Sequence, residues 1–407
     1  MHLPLQRSAA STLRLRHRSR GVWARLALAL TTALCFVALE QGGNAQSQPQ
    51  PWALWERYAQ SAIDGQGRVI DHSAQDHTTS EGQAYGMFFA LVANDRVRFD
   101  QILNWTQINL AQGDLTVHLP AWIWGKSPDG SWKTIDANPA SDADLWMAYD
   151  LMEAGRLWHE PRYDKLGRMM AAHIASEETA SVPGLGVTLL SGPSGFHSGS
   201  NWLLNPSYMP PSVLTYFATT LPTGPWAAIR KSLEPLLAQG SPGGFAMDWV
   251  LAGQSIQPGP TPAQFAAGDL VGTPGGSYDA IRVYLWLGIA DRDTPGVKAL
   301  LGKVSGMSAY MAHHVTPPLR VDGGGKVVDP NAPVGFSAAL VPYLYAAGMK
   351  SQASDQLNRM GALLNPVTGL YGKDGLYYDQ NLALFGAGWN DQRYRFDRDG
   401  RLKVKWR

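Results

Sequence analysis

The sequence predicts an all-α fold, two concentric rings of six inner and six outer helices with short strands in the loops. Three observations predict it. About twelve helical patterns recur after residue 50, at 51–61, 81–94, 96–110, 142–157, 161–177, 208–219, 224–238, 277–290, 295–312, 334–347, 349–362 and 377–388. They alternate between segments apolar nearly all round and segments apolar on one stripe. No charge run or long Ser/Gly linker divides them, and the Pro/Gly clusters are short and scattered, which predicts one domain over 46–407. An α-solenoid would also alternate helices, but no fixed-period repeat is visible.

Residues 1–45 read as an export signal. Arg7, Arg14, Arg16, Arg18, Arg20 and Arg25 form a basic stretch before an apolar run from Leu26 to Leu39, which is too short to span a bilayer comfortably. Gly43-Asn44-Ala45 supplies small residues for cleavage after Ala45. The whole sequence of 407 residues has 34 basic and 33 acidic side chains; removing the signal, with six arginines and one glutamate, leaves a formal charge of about −4. That balance argues against nucleic acid or an anionic membrane as the main partner, and no stable membrane insertion is expected after cleavage. The single cysteine, Cys35, leaves with the signal. An oxidising compartment is then tolerated without disulfides, and stability must come from a large core.

The two kinds of helix appear in order along the chain. From Ala84 to Ala93 the pattern is buried on every side, with Tyr85, Met87, Phe88, Phe89, Leu91 and Val92. The next keeps Phe99, Ile102, Leu103, Thr106 and Leu110 on one stripe and turns Arg96, Arg98, Asp100, Gln101 and Asn104 outward. The same contrast separates 277–290 from 295–312, and 334–347 from 349–362. Long loops precede the inner helices and hold strand-like pieces at Thr116 to Trp124 and Arg320 to Asp329. In a ring of helix pairs, loops at one end would together form a cleft.

Three acidic helix starts would meet there. Ser80 and Gln83 have capping-box spacing around Glu81, and Gly82 and Gly86, each costing about 1 kcal/mol against alanine inside a helix, suggest that something packs close beside it. Asp142 reads as an N-cap, with Asp144 just inside. Asp279 opens another inner helix with Arg282 three residues on, a spacing that pairs them and holds the carboxylate ionised. Singly, each motif has a structural reading, since acids are favoured in first helical turns. Together they place several carboxylates in one cleft. A helix dipole lowers the pKa of a first-turn acid, so burial or neighbouring carboxylates must outweigh it if Glu81 is to donate a proton. Asp142 and Asp144 do not share a helix face and no His or Cys is near, which weakens a metal reading of this pair; no cofactor is expected.

Removing the signal leaves 14 tryptophans. Trp122 and Trp124, at strand spacing, and Trp132, Trp202, Tyr208, Trp249 and Trp389 lie in loops. Aromatic faces pack on the apolar faces of sugar rings, and each can bury roughly 150–250 Å².

These residues resemble glycoside hydrolase family 8. Ala140-Ser141-Asp142-Ala143-Asp144 with Met147, Ala148, Ala154 and Trp158 follows that family's signature, departing at Asp150, where the pattern usually has Ser or Ala. The similarity also takes in Trp55 and Tyr58, Ser80 to Met87, Ser277 to Arg282, and Tyr377 to Phe385 with Gly388 and Trp389. Within the family the chain looks like the cellulases encoded beside bacterial cellulose synthase. The resemblance implies an (α/α)6 barrel that cuts β-1,4-glucan internally with inversion and without metal. It also implies a periplasmic or secreted location and a cellulose synthase export complex as a possible partner.

By motif the resemblance makes Glu81 the general acid, Asp279 the base that activates water and Asp142 the residue that positions the distorted sugar. Tyr278 and Arg282 match positions beside the base, and Trp122, Trp124, Trp132 and Tyr208 are expected to bind substrate. An inverting pair needs its carboxyls about 6.5–9.5 Å apart. The alternatives are the same fold acting on chitosan, xylan or mixed-linkage β-glucan, a polysaccharide lyase on a similar barrel, and a non-catalytic glycan-binding component of an export complex.

Overall fold

In the computed structural model, residues 51–407 are described; the signal over 1–45, its cleavage site and Cys35 lie outside the described residues. Fourteen α-helices appear among the described residues: α1 Ala53–Ala62, α2 Ser80–Ala93, α3 Arg96–Asn109, α4 Ser141–Trp158, α5 Pro161–Glu177, α6 Pro211–Thr220, α7 Trp226–Gly240, α8 Pro262–Ala266, α9 Ala280–Ile289, α10 Val297–Lys303, α11 Ser305–Met311, α12 Val334–Ala346, α13 Lys350–Ala362 and α14 Tyr377–Asn390. The inner ring is α2, α4, α6, α9, α12 and α14, each packed on the next. Phe385 of α14 closes it onto Tyr85, Phe88 and Phe89 of α2, with ring centroids 5.2, 5.2 and 4.7 Å away. Outside them lie α3, α5, α7, α10 with α11, α13 and α1. This is the six-and-six barrel that the alternating patterns predict.

Burial explains the alternation. Every residue of α2 from Gly82 to Val92 is buried, whereas α3 buries only Phe99, Ile102, Leu103, Trp105 and Thr106. Aromatic side chains from four inner helices fill the barrel axis. Phe88 meets Trp146 at 5.1 Å, Trp146 meets Trp286 at 5.2 Å and Trp286 meets Phe385 at 5.0 Å; such pairs each add about 0.5–1.5 kcal/mol beyond their buried area.

Three departures from the sequence reading have local causes. The outer helix expected over 295–312 breaks at Val304 into α10 and α11, beside the place where the backbone of the turn Pro242–Gly244 lies directly against Gly306 and leaves no room for a side chain. The short helix α8, capped by a Thr261–Gln264 capping box, gives too brief a pattern to read. A C-terminal hairpin, Tyr394–Phe396 with Leu402–Val404, also escapes notice. It packs Tyr394 on Phe88 at 5.1 Å, and Tyr149 donates to the carbonyl of Gly400 at 2.8 Å. Leu402 N–H donates to the buried carboxylate of Glu153 at 2.6 Å. Seven residues past Glu81 and eleven past Asp142, these contacts seal the barrel at the C-terminal ends of its inner helices.

At the other end, short antiparallel sheets organise the loops. Thr78–Thr79, just before Glu81, pairs with Ala121–Lys126, which pairs with Trp132–Pro139. Gly275–Gly276, just before Ser277, pairs with Arg320–Asp322 and this with Val327–Asp329. The segments entering α2 and α9 are therefore fixed by strand pairing. Among the described residues no helix is long and apolar enough to cross a membrane.

Candidate active site

The N-terminal turns of α2, α4 and α9 converge on one cleft, each bringing an acid. Glu81 is the second residue of α2, but the cap differs from the expected capping box. Thr79 accepts the N–H of Gly82 at 3.2 Å. Gln83 is buried and serves the preceding loop and α3: its side-chain oxygen accepts Val69 N–H at 2.6 Å, and its nitrogen donates to Thr106 at 2.9 Å. The close packing that Gly82 suggests is present, since a Cβ there would collide with the hydroxyl of Tyr377.

The Glu81 carboxyl keeps a partial opening to the cleft with protein around its other sides. Trp122 Nε1 donates to Oε1 at 3.2 Å, and Ser80 Oγ lies 3.4 Å from Oε2. Desolvation, followed by the charge of Asp142, pushes its pKa up to about 8. The helix-start backbone, Arg282 and Trp122 pull the other way and are outweighed. Burial and a neighbouring carboxylate thus overcome the dipole, as a proton donor requires.

Asp142 is the second residue of α4, not its N-cap; the helix begins at Ser141, whose hydroxyl donates to the carbonyl of Leu190 at 2.6 Å. Its carboxylate is 1 % exposed. Oδ1 accepts the N–H of Ala143 at 2.9 Å and Oδ2 accepts Arg282 Nη1 at 2.6 Å. Burial raises its pKa against the pull of Arg282.

Arg282, itself buried, joins the cleft together. Nη2 reaches Oδ1 of Asp279 at 2.5 Å, the i to i+3 pairing read from the sequence, and Nη1 also donates to Tyr85 at 3.0 Å. Asp279 stands immediately before α9 and keeps 30 % of its side chain exposed, so solvent reaches it. One guanidinium therefore orients both aspartates, and no other cation touches either carboxylate at ion-pair distance among the described residues.

Asp248 is a residue that sequence reasoning missed. Its Oδ1 accepts the N–H groups of Ser277, Asp279 and Ala280 at 2.8, 3.1 and 2.8 Å, capping α9 from a distant loop. Burial and then the charge of Asp279 push its pKa up to about 6. It lines a hollow of about 320 Å³ with Trp249, Ser277 and Arg320 beside the start of α9, while a second of about 360 Å³ lies beside Tyr377 on the α2 side. A second missed residue is Glu178, fully buried against Asp144 behind Asp142. Only their distant positions in the chain bring them here, and no local pattern marks them.

The expected substrate-binding aromatics divide. Trp122, 38 % exposed, holds Glu81 from the cleft. Tyr278, half exposed, stands edge-on to Phe336 and Tyr378 with centroids 5.4 and 5.7 Å away. Tyr208 is buried, with the guanidinium of Arg282 5.5 Å from its ring centre and Trp249 at 6.1 Å. Trp124 is partly buried, with Trp105, Trp132 and the guanidinium of Arg68 against it at 5.4, 5.1 and 4.5 Å. Trp132 stacks on it and remains 44 % exposed. Among the described residues no group of three or more His, Cys, Asp or Glu could hold a metal ion.

The family model described as "Glycosyl hydrolases family 8" matches residues 28–392. The chain is 44% identical over 365 residues to a protein named "Endoglucanase" of Xanthomonas axonopodis pv. citri (strain 306), covering 89% of this chain and 91% of that one. It is 42% identical over 360 residues to the "Endoglucanase" of Escherichia coli (strain K12), covering 87% and 91%. Among solved structures it is similar to the endo-1,4-D-glucanase from Vibrio fischeri ES114, with a TM-score of 0.75, 38% identity and coverage of 87% of this chain and 99% of that one. With a barrel of six helix pairs, three acids at one cleft and these matches across most of its length, the protein is a glycoside hydrolase and belongs to glycosyl hydrolase family 8.

Proposed function

We propose that the protein is an endo-β-1,4-glucanase in which Glu81 is the general acid, Asp279 the general base and Asp142 the residue that positions the sugar at the cleavage point. The observation that carries this is the contrast between two carboxyls. Glu81 is pushed up to about 8 and so holds its proton at neutral pH, while Asp279 is paired with Arg282 and open to solvent. Glu81 gives its proton to the leaving glycosidic oxygen. Asp279 takes a proton from water, whose oxygen bonds to the anomeric carbon from the opposite face as the glycosidic bond breaks. The cycle closes when solvent returns a proton to Glu81 and removes one from Asp279. Asp142, fixed by Arg282 and its own helix N–H, accepts hydroxyl groups of the sugar between them. Trp122, Tyr278 and Trp132 offer partly exposed aromatic surface for further glucose units.

The naming of relatives as endoglucanases at 42–44% identity, and of a 38% identical solved structure as an endo-1,4-D-glucanase, supports a 1,4-linked glucan as the substrate. The resemblance to cellulases encoded beside cellulose synthase supports a further reading: the enzyme is exported to the periplasm or beyond by residues 1–45 and trims glucan chains at a synthase export complex.

Three measurements test the assignment. Glu81→Gln, folded normally, is expected to lose about 10²–10⁴ in rate on a soluble β-glucan, and near-parental activity would overturn its role. NMR of the first product is expected to give the α-anomer; a retained β-product rules out the inverting scheme. Reducing-sugar release from carboxymethylcellulose, chitosan and xylan separates the substrates, and release from none of them would leave a glycan-binding component. Deleting the gene, or disabling Glu81 alone, without effect on cellulose yield and fibre order would remove the synthase link.

A further inference from the structure

Behind Asp142 lies a pair of acids that the proposed chemistry does not use. Asp144 of α4 and Glu178, the residue just after α5, are each 0 % exposed. None of their four carboxyl oxygens receives an N–H or O–H from another residue. Their side chains lie within hydrogen-bonding reach of one another. The charged groups acting most strongly on them are Glu81 from α2, Asp142 from α4 and Glu177 from α5, all acidic. The guanidinium of Arg282 is committed to Asp142, Asp279 and Tyr85. Two bare carboxylates in contact in a dry interior repel strongly and neither is solvated. Among the described residues no other donor reaches their carboxyl oxygens, so a proton of their own is the hydrogen that can join them.

We propose that Asp144 and Glu178 share one proton as a buried acid–carboxylate pair, and that the single negative charge they keep helps hold Glu81 protonated. The backbone at Glu178 also ties the site together, independently of the carboxyl pair. Glu178 accepts Leu190 N–H at 2.8 Å through its carbonyl, and the Leu190 carbonyl accepts the hydroxyl of Ser141 at 2.6 Å. The chain end of α5, the segment at Leu190 and the first turn of α4 are thereby tied together one residue from Asp142. The electrostatic half of this inference rests on Glu81 being the acid; the shared proton does not.

The test separates charge from shape. In Glu178→Gln an amide N–H replaces the shared proton and the charge of −1 stays; in Asp144→Asn/Glu178→Gln two amides pair and the charge is gone. The carbonyl stretch of protonated carboxyls is read by infrared at neutral pH in a Glu81→Gln background, which removes the signal of Glu81 itself. One carboxylic-acid band is expected to vanish in Asp144→Asn and in Glu178→Gln, and an unchanged spectrum would overturn the shared proton even if the double variant fails to fold. The alkaline limb of kcat/KM on cello-oligosaccharides is then followed with Glu81 present. It should stay at the parental pH in Glu178→Gln and fall by about half a unit or more in the double variant. Equal limbs in the parent and the double variant, or an equal fall in the single one, would overturn the charge effect. Because the infrared reading needs no substrate, loss of the Glu81 assignment would leave it standing and be recognised separately.

Discussion

The indole N–H of Trp122 meets Oε1 of Glu81 at 3.2 Å, so a partly exposed aromatic side chain also touches the carboxyl proposed as the proton donor. A donated hydrogen bond favours the ionised carboxylate, and Trp122 is among the influences that lower the Glu81 pKa from what burial alone would set. Trp122→Phe keeps an aromatic face but no donor. The alkaline limb of kcat/KM, which reports Glu81 and is expected near pH 8 in the parent, should move up by about half to one unit. A limb that stays or moves down would separate Trp122 from the acid.

The raised pKa of Glu81 also carries a stability cost with a definite sign. Its proton is held more tightly in the folded state than in the unfolded one, so its contribution is fully present below about 4.5 and is lost as pH rises to about 8. Glu81→Gln removes that dependence. Calorimetry across pH should find the variant gaining Tm over the parent towards pH 8, with the difference vanishing near pH 4.

Among the described residues Arg282 is the only cation at ion-pair distance from Asp142 and Asp279, and it is buried with the first. Arg282→Met should destabilise by about 3–5 kcal/mol, as breaking a buried pair does, because Asp142 is left buried without a counter-charge. Arg282→Lys restores charge but not the fork that reaches Asp142 and Asp279 at once. It should fold and still lose about 10²-fold or more in kcat/KM; full activity in the lysine variant would show that orientation by the guanidinium is not needed.

Asp150, the residue that departs from the family signature, is fully buried with neither carboxyl oxygen hydrogen-bonded. Burial holds its pKa well above the usual carboxylate range. Asp150→Ser should therefore stabilise by about 1–3 kcal/mol at neutral pH, and the gain should shrink as the pH falls from neutral towards the ordinary aspartate range, since folded Asp150 holds its proton more tightly than the unfolded chain does and the two states bind it alike only below that range. Denaturant melts at two pH values decide it.

Gly82 is required by Tyr377 and not by backbone conformation. Gly82→Ala should cut activity and stability together, as the added methyl drives the Tyr377 hydroxyl away from the first turn of α2. Gly82→Ala/Tyr377→Phe should recover part of both. No recovery in thermal unfolding would mean that the clash lies elsewhere.

The ring architecture was legible because helical periodicity is local and burial on one side or all sides is written into it. Glu81, Asp142, Asp279 and Arg282 were legible for a related reason: acids in first helical turns and an i to i+3 partner are short-range signals. The capping box was misread by one position, since Thr79, Ser80 and Gln83 all suit the role and only the tertiary demand of Val69 and Thr106 draws Gln83 away. Asp248 bonds backbone groups 29 to 32 residues away, and Glu178 meets Asp144 across a whole helix, distances at which no pattern survives. Strand spacing marked Trp122 and Trp124 alike, but it says nothing of Trp105 and Arg68, which cover the second and leave the first open.

Ring closure by α14 has a consequence in time. Phe385 and the residues it packs on in α2 are about 300 residues apart in the chain, and contacts of such separation form slowly because a long loop must be ordered first. Tyr377, which stands against the turn carrying Glu81, belongs to that same late helix. The cleft is thus assembled last. All three acids are present in the chain long before the wall that stands against the first of them, and the surroundings that raise the pKa of Glu81 are complete only when the barrel shuts.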